Sequence, residues 1–146
     1  MSALRTILEG KGSTVHYVGP KATVLEAVSR MCQNRIGALL VEEHDEAIGI
    51  ISERDIMARL VLERRDPAST RVADIMTRNV LCIDPDQEPE QAMALMTEHR
   101  VRHLPVVEGR TVIGMLSIGD LVRWVSRNQD FEIRSLRDYV NGVYPG

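Results

Sequence analysis

Two short stretches combine residue types that can hold an anion and a diol. Gly49-Ile50-Ile51-Ser52-Glu53-Arg54-Asp55 and Gly114-Met115-Leu116-Ser117-Ile118-Gly119-Asp120 share one pattern: Gly, two apolar residues, Ser, two residues, Asp. The apolar pair suits the end of a strand, and Ser suits the N-cap of a helix that follows. A helix N-terminus offers free N–H groups and partial positive charge to an anion. A Ser hydroxyl there can bond a phosphate oxygen, and a carboxylate one turn later can accept both hydroxyls of a ribose. In the first stretch Arg54 adds a guanidinium suited to phosphate. Ser-x-x-Asp is also a capping-box sequence, in which each side chain satisfies a backbone N–H of the other residue. Both readings need the same strand-to-helix junction.

Other chemistries have less support. The chain has no G-x-S-x-G, P-loop or G-x-G-x-x-G pattern, and neither Ser has a general base evident in sequence. His99 and His103 stand four apart, but Arg100, not Glu, follows His99, and a helix-to-strand boundary is expected between them. Zinc binding is therefore not expected. Arg100, Arg102 and His103 form a basic cluster, and the place of Arg102 and His103 at the mouth of a strand favours phosphate contact over a merely solvated surface. Eighteen Lys+Arg against 21 Asp+Glu give a net charge of −3, which argues against a DNA-binding surface. Aromatic residues are 3% of the chain, too few for stacking single-stranded bases. No apolar run approaches the roughly 18 residues of a membrane span. Met1-Ser2-Ala3-Leu4-Arg5 leads into no secretory core. A soluble cytoplasmic protein is the expectation. Cys32 and Cys82 lie in apolar patterns without metal-ligand spacing, so buried, reduced thiols are expected. Met57, Met76, Met93, Met96 and Met115 suggest a soft core, and Glu42-Glu43-His44-Asp45-Glu46 an exposed hairpin loop.

The elements that position the two motifs come from an internal repeat. A shift of 65 residues places Val15 on Val80, Pro20 on Pro85, Ala27 on Ala92, Met31 on Met96, Arg35 on Arg100 and Ser52 on Ser117. From Val15 to Val61 the register needs no gap, and 12 of 47 positions are identical, where chance gives roughly three. Each copy predicts strand, helix, strand, strand, helix. The strands are Val15 to Val18, Ala38 to Val41 and Ala47 to Ile51, then Val80 to Ile83, Leu104 to Val107 and Val112 to Leu116. In the first copy Thr23 and Glu26 suggest a capping box, with Leu25, Val28, Met31 and Cys32 on the buried face. In the second, Pro89 suits the first helical position, with Ala92, Met93 and Met96 inward. A short amphipathic turn precedes each copy: Leu4, Ile7 and Leu8, then Val72, Ile75 and Met76. The expected fold is α/β, more narrowly α+β, built from two β-α-β-β-α repeats. The expected division is 1–63 as first repeat with its N-terminal turn, 64–71 as linker, 72–126 as second repeat, and 127–146 as a C-terminal helix and tail. Neither half carries a full core.

The repeat order, the strand Leu104-Pro105-Val106-Val107 and the doubled G-h-h-S-x-x-D motif together resemble a tandem pair of CBS domains, the Bateman module, over about residues 13–126. The resemblance implies two repeats packed about a pseudo-twofold axis, with two clefts that bind adenosine-containing ligands. It implies one site built from Ser52, Arg54 and Asp55 with Asn79, Val80, Cys82, Arg102, His103 and Pro105. It implies a second built from Met115, Ser117, Gly119 and Asp120 with Ser13, Thr14, Val15, Tyr17, Ile36, Gly37 and Ala38. The aspartates would hold ribose, strand backbones would read the adenine edge, and apolar side chains would sandwich its ring. Gly37 and Ala38 leave space beside the second site, while Leu40 stands where the family usually has Pro. Arg54, Arg102 and His103 favour phosphate at the first site; Gly119 replaces the cation at the second.

The functional expectation is a regulatory, signal-transducing module without catalysis or catalytic cofactor. Its regulatory ligand would be AMP, ADP, ATP, NAD or S-adenosylmethionine. The resemblance also implies a homodimer of modules acting on a downstream protein. A different class of reading is a structural or partner-binding module with vestigial clefts. A third places the chain beside a dehydrogenase of the IMP type, whose catalytic barrel it has no room to contain.

Overall fold

A computed structural model describes residues 2–12 and 14–128. The expected C-terminal helix with Phe131, Ile133, Leu136, Tyr139 and Val140 lies outside the described residues, as does Ser13. The fold is mixed α and β, in two compact units, whose described residues are 14–81 in one and 2–12 with 82–128 in the other. These units cut across the division expected from the repeat. The N-terminal turn, placed with the first repeat by order along the chain, packs with the second.

In the first-repeat unit, β1 (Tyr17–Val18) runs parallel to β2 (Ala38–Glu43), which pairs antiparallel with β3 (Glu46–Ser52). His44 and Asp45 both take positive φ at the β2–β3 turn, the conformation of the tightest hairpins. The helix α2 (Val24–Asn34) starts at Thr23, whose hydroxyl accepts from Glu26 N at 3.2 Å. Its buried face is Val24, Ala27 and Met31, with Val28 partly buried. Leu25 is half exposed and Cys32 exposed, so the face expected to carry them is rotated by one position. The core joins Val18, Ala27, Met31, Leu39, Val41 and Ile51 to Val72, Ile75 and Met76. Those last three lie on or just after the short helix α4 (Val72–Ile75), which follows α3 (Glu53–Ile56) and its π-helical continuation Met57–Val61.

The second-repeat unit repeats this plan with a different leader. Helix α1 (Ala3–Lys11) buries Leu4 and Leu8, and its Ser2 cap donates to Pro85 O at 2.5 Å. Arg5 pairs with Asp86 at 3.1 Å and with Glu108. Helix α5 (Pro89–His99) opens on Pro89 and buries Ala92 and Met96. Strand β4 (His103–Glu108) pairs antiparallel with β5 (Thr111–Ser117), which leads into α6 (Ile118–Asn128). The expected strand from Val80 to Ile83 is reduced to one bridge, Ile83 with Val106. Ile83 points inward and Cys82 outward, so both cysteines are exposed thiols outside any disulfide, against the expectation of burial. The repeated Arg35 and Arg100 both sit in left-handed conformation at helix C-termini, φ 54° and 55°. The next N–H returns to a carbonyl five residues back, Ile36 to Met31 and Val101 to Met96, each at 3.0 Å.

The repeated glycine is explained by close approach of each leader. A Cβ on Gly49 would lie 2.7 Å from Thr77 O and 2.9 Å from Met76 Sδ. A Cβ on Gly114 would lie 2.6 Å from Leu8 Cδ2. The first obstacle is backbone, and the second is the tip of a side chain that can turn. Gly49→Ala is therefore expected to lose about 2 kcal/mol of stability, and Gly114→Ala less than about 1 kcal/mol. Urea denaturation of the two variants checks the order; equal losses would contradict it.

Candidate functional site

Both motifs form the expected junction. Ser52 ends β3 and caps α3; Ser117 ends β5 ahead of α6. The strand before each motif also meets the helix that follows. Ala38 pairs with Ser52, and Glu53 N donates to Gly37 O at 3.0 Å. His103 pairs with Ser117, and Ile118 N donates to Arg102 O at 2.9 Å. These are equivalent positions at the 65-residue shift, so the repeat extends to the hydrogen bonds at each junction.

Asp55 is buried, and both its carboxylate oxygens are engaged. Oδ2 accepts from Ser52 N and Ser52 Oγ, each at 3.0 Å, while Asp55 N donates to Ser52 Oγ at 3.3 Å. Oδ1 accepts from Thr77 Oγ1 at 2.9 Å. Thr77 is held by paired backbone bonds with Ile50 at 2.9 and 2.8 Å. The leader of this unit thus reaches its motif through a neutral hydroxyl.

Asp120 is also buried, but its partners are cations. Oδ2 accepts from Ser117 N at 2.8 Å and from Lys11 Nζ at 2.7 Å; Oδ1 accepts from Arg123 at 2.5 Å. Lys11 also donates to Met115 O at 2.6 Å. Burial pushes the Asp120 pKa up, but the hydrogen bonds from Lys11 and Ser117 and the charge of Lys11 outweigh it and hold the carboxyl below its ordinary value. The guanidinium of Arg123 lies 3.5 Å from where a Cβ on Gly119 would stand. The position at which the sequence lacks Arg54's counterpart is therefore covered by a cation from the next turn. Thr77, Lys11 and Arg123 were not among the residues singled out from sequence. A polar residue shortly after each leader's last apolar position was the available signal for Thr77 and Lys11. For Arg123 it was i,i+3 spacing from Asp120.

The other expected site residues divide between the units. Thr14, Val15, Tyr17, Ile36, Gly37, Ala38, Asn79 and Val80 belong to the unit that carries Ser52, Arg54 and Asp55. Cys82, Arg102, His103 and Pro105 belong to the unit with Met115, Ser117, Gly119 and Asp120. Within the first unit, Ile36 to Ala38 adjoin Ser52 through the β2–β3 pairing. Within the second, Arg102 and His103 adjoin Ser117, and Pro105 pairs with Met115. Arg54 and Arg102 are exposed, and His103 is partly buried.

Comparison with known proteins decides the family. The CBS domain family model matches twice, at residues 13–62 and 72–127. The chain belongs to the CBS-domain family. It is 40% identical over 127 residues to the mitochondrial CBS domain-containing protein CBSX3 of Arabidopsis thaliana, covering 84% of this chain and 62% of that one. A CBS-domain protein structure from Burkholderia ambifaria superposes with a TM-score of 0.83 at 41% identity, covering 90% of this chain and 98% of that one. The CBS domain pair of protein MJ0100 shares the fold at a TM-score of 0.72 and 24% identity, covering 82% and 96%. It was solved with 5′-methylthioadenosine and S-adenosyl-L-methionine. Among the described residues no helix is long and apolar enough to cross a membrane, and no three metal-ligating side chains converge.

The two aspartates are expected to differ in what they contribute to stability. Asp120→Asn removes a charged partner from two cations and should cost about 2 kcal/mol at neutral pH; Asp55→Asn should cost about 1 kcal/mol, the scale of a lost cap. Because the folded pKa of Asp120 is depressed, its contribution is complete above the unfolded carboxylate value of about 4 and is lost as pH falls through the lower folded value. The stability gap between wild type and Asp120→Asn should therefore shrink in acid. Urea midpoints from pH 7 down to pH 3 check this; a gap that stays constant would contradict it.

Proposed function

We propose that this chain is a regulatory module that binds adenosine-containing nucleotides, of the class of AMP, ADP, ATP or NAD, and performs no catalysis. The observation that carries the reading is the doubled junction. In each repeat a Ser hydroxyl and a buried carboxylate sit together at a strand-to-helix turn, with Arg54 near one and Arg123 bonded to the other. The Ser hydroxyl suits a phosphate oxygen, and the carboxylate suits a ribose diol. The adenosine ligands of the MJ0100 pair support the same chemistry on this fold. In this proposal the first site uses Ser52, Arg54 and Asp55, and the second uses Ser117 and Asp120. A ligand regulates only to the extent that it binds one arrangement of the protein better than another. Dimerisation through the exposed apolar residues that close each repeat, Met57, Val61 and Leu62 in one and Ile118 and Val122 in the other, is part of the proposal. So are a cytoplasmic location and a downstream protein partner.

A structural or partner-binding role is the second reading, favoured by the internal engagement of both carboxylates. Thermal denaturation with AMP, ATP, NAD and S-adenosylmethionine separates the two. A ligand at 100 times its Kd should add about 2.7 kcal/mol of stability, and the Asp55→Ala/Asp120→Ala double variant should lose that gain while still melting cooperatively. No gain with any of the four ligands would overturn the nucleotide reading.

A further inference from the structure

Lys11 belongs to the leader helix α1, outside both motifs, yet it is bonded to the second motif's carboxylate. The Ser117 amide and hydroxyl, the Lys11 ammonium and the Arg123 guanidinium already engage Asp120. A carboxylate accepts about four hydrogen bonds, so a ribose diol must displace donors already in place. The Ser117 amide is fixed by the junction, and Arg123, although 63% exposed, stays tethered one turn from Asp120 on the same helix. Lys11 comes from another element on a flexible stem, and it keeps the Met115 carbonyl at 2.6 Å when it leaves. It is therefore the donor that gives way. Its side chain is one-third exposed, and among the described residues Asp120 is the anion it pairs with. Once displaced, the ammonium has lost its counter-charge.

We infer that Lys11 makes the second motif select a nucleotide over the neutral nucleoside: a ligand that takes Asp120 with its ribose must return an anion to Lys11. The inference rests on the nucleotide-binding reading above and names the ligand class of one of its sites. The first motif makes no such demand. There the leader's donor to Asp55 is the Thr77 hydroxyl, whose displacement uncovers no charge.

The test is an NMR titration of the full chain with AMP and with adenosine, following the Ser117 amide, in wild type, Lys11→Met and Lys11→Arg. In wild type AMP should bind about tenfold more tightly than adenosine, the scale of one charge-assisted hydrogen bond. Lys11→Met should bring the two affinities together, with adenosine bound more tightly than by wild type. Lys11→Arg should keep the preference. If Lys11→Met melts below the titration temperature, Lys11→Gln, neutral and still able to donate to Asp120, carries the same expectation. An unchanged AMP-to-adenosine ratio in the neutral variant would overturn the role of Lys11 and leave nucleotide binding standing. A Ser117 amide that responds to neither ligand in any variant would overturn both the role of Lys11 and nucleotide binding at the second motif.

Discussion

The structure depends on the close approach of a leader segment to a strand that has no side chain in the way. In the first-repeat unit the backbone of Thr77 bonds to Ile50 and fills the space over Gly49. In the second, Leu8 of α1 fills the space over Gly114. A Cβ at Gly49 would meet leader backbone and hold it off, so that Thr77 would no longer reach Asp55, whereas at Gly114 the Leu8 side chain would have to turn aside. One packing constraint thus supports both the core and the buried carboxylate. Each repeat alone lacks this cover. The leader placed before the second repeat completes the first, and the leader at the N-terminus completes the second.

The two units use this plan with different electrostatics. Thr77 gives Asp55 a neutral hydroxyl; Lys11 and Arg123 give Asp120 two cations. The backbone geometry of the two junctions is nearly the same, so the difference comes from side chains outside the shared pattern. Capping and ligand binding are compatible at both positions, because a carboxylate that satisfies a helix N-terminus is already fixed in place for a ligand. In the proposed function a ligand at Asp55 would compete with a hydroxyl, and a ligand at Asp120 with a charge.

Much of this was legible in the sequence because it is local or repeated. The 65-residue register located the Ser caps, the antiparallel strand pairs and the helix that opens on Pro89. It also paired Arg35 with Arg100, both left-handed helix ends. The failures have physical causes. The α2 face was misplaced by one position, because Leu25 and Cys32 fit an apolar stripe as well as Val24 and Ala27 do. The first strand of the second repeat shrank to the Ile83 bridge, and periodicity cannot report whether a short apolar segment finds a full hydrogen-bonded partner. Order along the chain put α1 with the wrong repeat, since two interchangeable leaders give no local sign of which core each will join. Thr77 meets Asp55 across 22 residues and Lys11 meets Asp120 across 109, contacts that only the folded chain reveals.

The central claim is that α1 is an integral part of the second-repeat unit. Hydrogen exchange on a chain lacking residues 2–12 tests it most directly. The expected result is loss of amide protection across β4, β5 and the start of α6, with protection kept in β2 and β3. Unchanged protection in β4 and β5, or equal loss in both units, would contradict it.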